Sequence, residues 1–109
     1  MLSSAIFDGL IAEYRESGRL LGVMTGVQRE RVIYLQHVMV WPHAPAGTLL
    51  RMLDRIERLA WDRQPESVVL DVEHDHPFAA ALKVLARRRG YQPFRETDTT
   101  TWFVKRERP

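Results

Sequence analysis

The stretch Val32-Ile33-Tyr34-Leu35-Gln36-His37-Val38-Met39-Val40-Trp41 decides the fold. It is rich in β-branched and aromatic residues and is apolar in both alternating phases, as a strand covered on both faces should be. Pro42 cannot donate to a ladder and ends it. Past His43-Ala44-Pro45-Ala46-Gly47 the period changes. Leu49, Leu50, Met52, Leu53, Ile56, Leu59 and Ala60 recur at helical spacing with Arg, Asp and Glu between them, which predicts a helix over Thr48 to Trp61. Gln64-Pro65-Glu66 breaks that helix, and Ser67 to Glu73, with Val68-Val69-Leu70 and Val72, reads as a second buried strand. Two such strands joined by a helix make a parallel βαβ crossover. An α/β fold with a mixed (α+β) sheet follows, and residues 32–41 supply its central strand.

Working outward, Ser3 or Ser4 can cap an N-terminal helix whose Ile6, Phe7, Leu10, Ile11 and Tyr14 form one apolar face, closed by Ser17-Gly18. Leu20 to Val27 reads as a strand in which Gly22 and Gly26 mark a bulge or a close backbone approach. The polar Gln28 to Arg31 should then turn it back as a hairpin onto the central strand. Beyond the crossover, Pro77 suits a first helical position and Asp75 or His76 a cap. Phe78, Leu82 and Leu85 make the inner face, and Arg87-Arg88-Arg89-Gly90 supplies a cationic last turn and a C′ glycine. Tyr91 to Glu96 and Thr99 to Arg106 flank Thr97-Asp98 as a closing hairpin. The expected order is α-β-β-α-β-α-β-β.

At 109 residues the chain has room for one core, so residues 1–109 read as a single domain. With 45% hydrophobic and 28% charged residues it has the composition of a folded globular protein, which argues against disorder. There is no cysteine, which excludes disulfides, thiolate nucleophiles and cysteine metal sites and favours a reducing, cytoplasmic setting. The N-terminus lacks a basic region and carries Asp8 within its apolar stretch. No run approaches the ~18 apolar residues of a membrane span, so neither a secretory signal nor a membrane partner is expected. A net charge of +2 permits contact with nucleic acid or an acidic partner without requiring either.

The element order and its punctuation resemble the GNAT superfamily of acetyl-CoA-dependent N-acetyltransferases, from about Leu20 onward. The matching residues are Val40-Trp41-Pro42, similar to the family's strand-ending Val-x-Pro, then the helix from Thr48 and the strand Ser67 to Glu73. Leu85-Ala86-Arg87-Arg88-Arg89-Gly90-Tyr91 is similar to its Leu-Tyr-x-x-x-Gly-Phe helix end, and Trp102-Phe103-Val104-Lys105 to its last strand. The resemblance implies that, if acetyl-CoA binds, Met39 and Val40 hold the pantetheine and the amides of Ala46, Gly47 and Thr48 face the pyrophosphate.

The departures point elsewhere. Of the family's Gln/Arg-x-x-Gly-x-Gly/Ala phosphate loop only Gly47 remains, Pro45 has no N–H to give, and the connection is short. The family's general-acid tyrosine falls at Ala86, and its first strand has no counterpart. The expectation is therefore weak or no acetyl-CoA binding, no cofactor, and a GNAT-like, non-catalytic interaction or structural module in a larger assembly such as a tailed-phage virion. The alternative is an N-acetyltransferase with an aberrant cofactor loop.

Other constellations are weighed against plainer roles. Asp71-Val72-Glu73-His74-Asp75-His76 gathers metal-ligand types at a strand end, but a polar cap to the next helix explains it as well, and no metal is expected. His37 suits a general base or, more commonly, a satisfied core histidine. No catalytic residue is assigned. Arg87, Arg88 and Arg89 can grip an acidic partner or simply complement a helix dipole. Trp41, Trp61 and Trp102 are core by default, with Trp61 the candidate interface anchor. A protein partner or self-assembly through Trp61 and the three arginines is the expectation; nucleic acid is permitted but not indicated.

Overall fold

The computed structural model describes residues 9–106. The elements are β1 (Gly9–Glu16), β2 (Arg19–Arg29), β3 (Val32–Val40), α1 (Thr48–Trp61), β4 (Ser67–Glu73), α2 (Ala79–Arg88), β5 (Gln92–Glu96) and β6 (Thr100–Lys105). They form one six-stranded sheet in the order β1-β2-β3-β4-β6-β5. β3 and β4 run parallel, with α1 crossing between them, and the other neighbours are antiparallel. Mixed sheet, central strand and crossover are thus as the sequence implies. Among these residues no helix is long and apolar enough to cross a membrane.

The first element differs. Leu10, Ile11 and Tyr14 were expected on a helix and lie instead on β1, while Ser3, Ser4, Ile6 and Phe7 fall outside the described residues. Leu10 and Ala12 are buried and Ile11 and Glu13 exposed, so the stretch also carries a period of two. The ladder with β2 runs the length of the strand, pairs one of its backbone edges and decides between the two periods. The glycines of β2 make room for this layer. A Cβ on Gly22 would stand 2.7 Å from the Met52 sulfur of α1, and one on Gly26 would stand 3.1 Å from a Leu35 methyl of the neighbouring β3 and 3.8 Å from an Ile56 methyl of α1.

Helix α1 buries Met52, Leu53, Ile56 and Ala60 against the sheet, together with Glu57 and Trp61, while Leu50 and Leu59 stay outside. We expect Leu53→Ala and Ile56→Ala each to cost about 2–5 kcal/mol, because both lose buried methyls inside a packed layer. The exposed Arg55→Ala should cost far less; a denaturant series placing Arg55 worst of the three would contradict this packing.

α2 ends as its sequence suggests. Gly90 sits at φ 90°, the Tyr91 amide donates to Ala86 O at 2.9 Å and the Gly90 amide to Arg87 O at 3.1 Å, the paired bonds of a Schellman cap. From that cap Arg89 reaches the buried carboxylate of Glu57 and, at 3.2 Å, Asp54. Lys105 of β6 approaches Glu57 at 3.6 Å from the other side. The buried hydroxyl of Tyr91 lies beside them, and burial together with the Glu57 charge pushes its pKa upward.

Candidate functional site: the cleft between two parted strands

Four residue pairs join β3 to β4, from Val32 with Ser67 to Leu35 with Leu70; past Leu35 the ladder stops. The cause is local. His37 is an extra residue in β3, opposite the step from Met24 to Thr25 in β2, and its φ of 26° puts a non-glycine residue in left-handed territory. The bulge reverses the phase of the strand. Ile33 and Leu35 face the core before it, and Val38 and Val40 do so after it. β3 stays on β2 and leaves β4, so its backbone edge beyond Leu35 faces a gap.

That gap is a cleft of about 550 Å³ at the C-terminal ends of the two parallel strands. Val23 and Thr25 of β2, Gln36, His37, Val38 and Met39 of β3, Asp71 and Glu73 of β4, His76 and Leu82 line it. Open α/β sheets bind ligands at this position, where neighbouring strands diverge. A more open groove beside β1, about 630 Å³ with Glu13, Tyr14, Arg15 and Arg55 around it, is larger. Its Glu13 and Arg15 are exposed and paired with each other at 3.3 Å, and it lies away from the ends of the parallel strands. Burial, reinforced by the like charge of Glu73, raises the Asp71 pKa against its own backbone hydrogen bond and the nearby His37. A partly desolvated carboxylate on one lip of a cleft is a candidate proton acceptor.

β3 runs from this cleft into the turn that starts α1. The Ala44 amide donates to Trp41 O at 3.0 Å and the Thr48 amide to Pro45 O at 3.2 Å, so the loop is two tight turns in succession. Gly47 caps the helix at φ 88° without a side-chain bond, and the first turn contains no acidic residue. The positive end of α1 is therefore unneutralised beside the strand end.

Of the residues singled out from sequence, Met39 lines the cleft, and Ala46, Gly47 and Thr48 form the helix-initiating turn. Val40 packs toward the core. Others require correction. His37 is neither core nor mid-ladder; it is exposed at the bulge. Trp61 is 5% exposed and Trp41 41%, so the proposed interface anchor is core and the tryptophan taken as core borders the turn before α1. The reason is that the end of α1 tucks under the sheet. Arg89 is committed to Glu57 and Asp54, which leaves Arg87 and Arg88 as the exposed members of the triplet. Among the described residues no three His, Asp or Glu side chains converge as a metal site. His74 instead bonds Asp98 O at 3.1 Å and the Thr101 hydroxyl at 2.8 Å, tying the strand end to the closing hairpin.

Asp71 carried no individual role in the sequence, and His76 was read only as an alternative helix cap, whereas α2 is capped at Phe78. The signal for Asp71 was its odd position in the Val68-Val69-Leu70-Asp71-Val72 strand, a polar residue in an apolar run.

No family model matches the chain, and no curated protein does. Solved structures match closely in three dimensions. The PaiA N-acetyltransferase of Thermoplasma acidophilum, solved in complex with coenzyme A, superposes with a TM-score of 0.79 over 95% of this chain at 11% identity. An Escherichia coli ribosomal-protein-S18-alanine N-acetyltransferase matches with 0.71 over 89% at 15% identity. A Desulfovibrio desulfuricans protein assigned to the GNAT family matches with 0.74 over 94% at 13% identity. This chain has the GNAT fold. It spans 64%, 66% and 70% of those three chains respectively. The GNAT match overturns the expectation of no cofactor. That expectation rested mainly on the phosphate loop, whereas the fold is shared with acetyltransferases, one of them solved with coenzyme A.

Proposed function

We propose that this chain binds an acyl-coenzyme A in the gap between β3 and β4 and transfers the acyl group to an amine. The observation that carries the reading is the parting of the strands at Leu35 and Leu70, which leaves an unpaired β3 edge beside the Asp71 carboxylate. An extended arm containing amides can add to such an edge as a further strand would. The start of α1, with no side-chain cap bond and no acid in its first turn, suits the phosphates of the same ligand. The likeness to GNAT acetyltransferases supports both assignments.

A thioester supplies the activated acyl group. The chain supplies the rest: β3 holds and orients the arm, Ala46 and Gly47 at the start of α1 offer their amides to the phosphates while the Thr48 amide stays on Pro45 O, and Asp71 takes the proton that the substrate ammonium must lose before its nitrogen attacks. Glu73 on the same lip adds negative charge that draws a cationic amine to the cleft. Ala86, at the position of the family's tyrosine, is fully buried and offers no acid. A thiolate leaves without one, since thiols ionise near pH 8–9.

The module reading loses its candidate interface anchor with Trp61 buried. Calorimetric titration of the chain with acetyl-CoA is the test. The expected dissociation constant is of order 1–100 µM, about −8 to −5.5 kcal/mol. No heat up to about 1 mM, where binding is worth only about −4 kcal/mol, would sink the proposal.

A further inference from the structure

Beyond the last ladder pair of β3 with β4 at Leu35 and Leu70, a side chain spans the gap. His76, in the connection from β4 to α2, places Nε2 2.9 Å from the carbonyl oxygen of Val38, the first residue of β3 past the bulge. Its other nitrogen, Nδ1, lies 3.0 Å from the Phe78 amide nitrogen. These partners decide the protonation pattern. A carbonyl oxygen only accepts and an amide N–H only donates, so Nε2 carries the proton and Nδ1 is bare. The ring is therefore the neutral Nε2–H tautomer, fixed at both ends and braced by the Phe78 ring at a 5.7 Å centroid separation.

We infer that His76 is a positioning residue, a strut that holds the two lips of the cleft at a fixed separation for the ligand arm. The inference rests on the acyl-coenzyme A reading above and adds to it what keeps the gap in shape. β3 past the bulge is bonded to β2 on one side and has lost β4 on the other, so without a tie it would have to be ordered when ligand enters. Ordering of this kind is a cost that weakens affinity, and a preformed tie removes it. The bond to Val38 O does not block the edge, because a carbonyl oxygen has two acceptor positions. His76 also links the lip to the start of α2 through Phe78, so ligand on β3 and the position of that helix are coupled.

The test compares wild type, His76→Phe and His76→Gln by acetyl-CoA calorimetry, with thermal melting and ring 15N shifts of wild type alongside. Phenylalanine keeps the ring and loses the donor; glutamine keeps an N–H donor of similar reach. The expected pattern is about fivefold to tenfold weaker binding for His76→Phe, as for one lost hydrogen bond, and recovery to near wild type in His76→Gln. Melting temperatures should stay close, and the ring shifts should report a protonated Nε2 and a bare Nδ1. Equal binding by His76→Phe and wild type, or a ring protonated at Nδ1, overturns the strut. Should wild type itself bind no acetyl-CoA, the acyl-coenzyme A reading fails first and the strut with it, an outcome that the wild-type titration alone identifies.

Discussion

Glu57→Ala should lower the unfolding free energy by about 3–5 kcal/mol, the range for breaking a buried ion pair by removing one partner. Glu57 is 1% exposed in the middle of α1, and its carboxylate is the common counter-ion of Arg89 at the end of α2 and Lys105 on β6. Removing it leaves two cations facing each other in a part-buried site with a single remaining partner, Asp54, on Arg89. The Lys105 ammonium also bonds the Arg89 backbone carbonyl, which holds the lysine beside the arginine, so it cannot simply turn to water. Replacing Glu57 with Gln keeps the volume and removes the charge. It should recover little, because the loss comes from the unpaired cations and not from a cavity. Urea denaturation measures both. A Glu57→Ala loss below about 1 kcal/mol, the size expected of an exposed pair, would mean that the triad contributes no more than surface charges do.

Asp71→Asn should reduce kcat by about 10²–10⁴-fold, the usual contribution of a positioned general base, with little change in acetyl-CoA affinity. Asparagine keeps the shape of the lip and cannot accept the proton. Stability should move the other way. Burial raises the Asp71 pKa in the folded state, so between the ordinary and the raised value the folded chain keeps a proton that the unfolded chain has lost. This contribution to stability is fully present below the ordinary carboxylate pKa and is lost as pH rises through the raised one. At neutral pH the wild type has lost it and carries a desolvated charge, which the asparagine variant does not. Asp71→Asn should therefore melt at or above wild type at pH 7, with the difference shrinking as pH falls through that window. The rate should climb through the same pH range as the carboxylate ionises. Melts and initial rates across pH separate the two effects. A variant that keeps wild-type kcat would remove Asp71 from the chemistry.

The turn before α1 is where the sequence motif pointed away from the expectation that the fold raises. A loop motif reports only the contacts made by a few consecutive residues, and here those residues are a proline, one glycine and two tight turns. The larger part of the cleft depends on where β3 stops pairing with β4, and that depends on one extra residue at position 37 set against β2. His37 was visible in the sequence as a polar residue in a strand. That it is a bulge was not, because a bulge is defined by its partner strand.

Local periodicity determined much by itself: the central strand, the crossover helix from Thr48 to Trp61, the parallel return at Ser67, the glycine cap of α2 and the closing hairpin. Each depends on residues within a few positions of one another, where the alternation of two or the turn of 3.6 acts directly on the backbone. The tertiary structure decided what depends on distant pairs. Leu10 to Tyr14 carry both periods, and β2 selected the strand. Glu57 reads as a surface residue of an amphipathic helix, and only Arg89 and Lys105, brought in from α2 and β6, make its burial tolerable. Trp61 went inward and Trp41 outward for the same kind of reason, since a helix face is buried by what packs on it. The cleft belongs to this second class: Asp71, His76 and Val38 meet there through the register of two strands and the loop after one of them. Burial and register are properties of pairs of segments, and a single segment's pattern does not contain its partner.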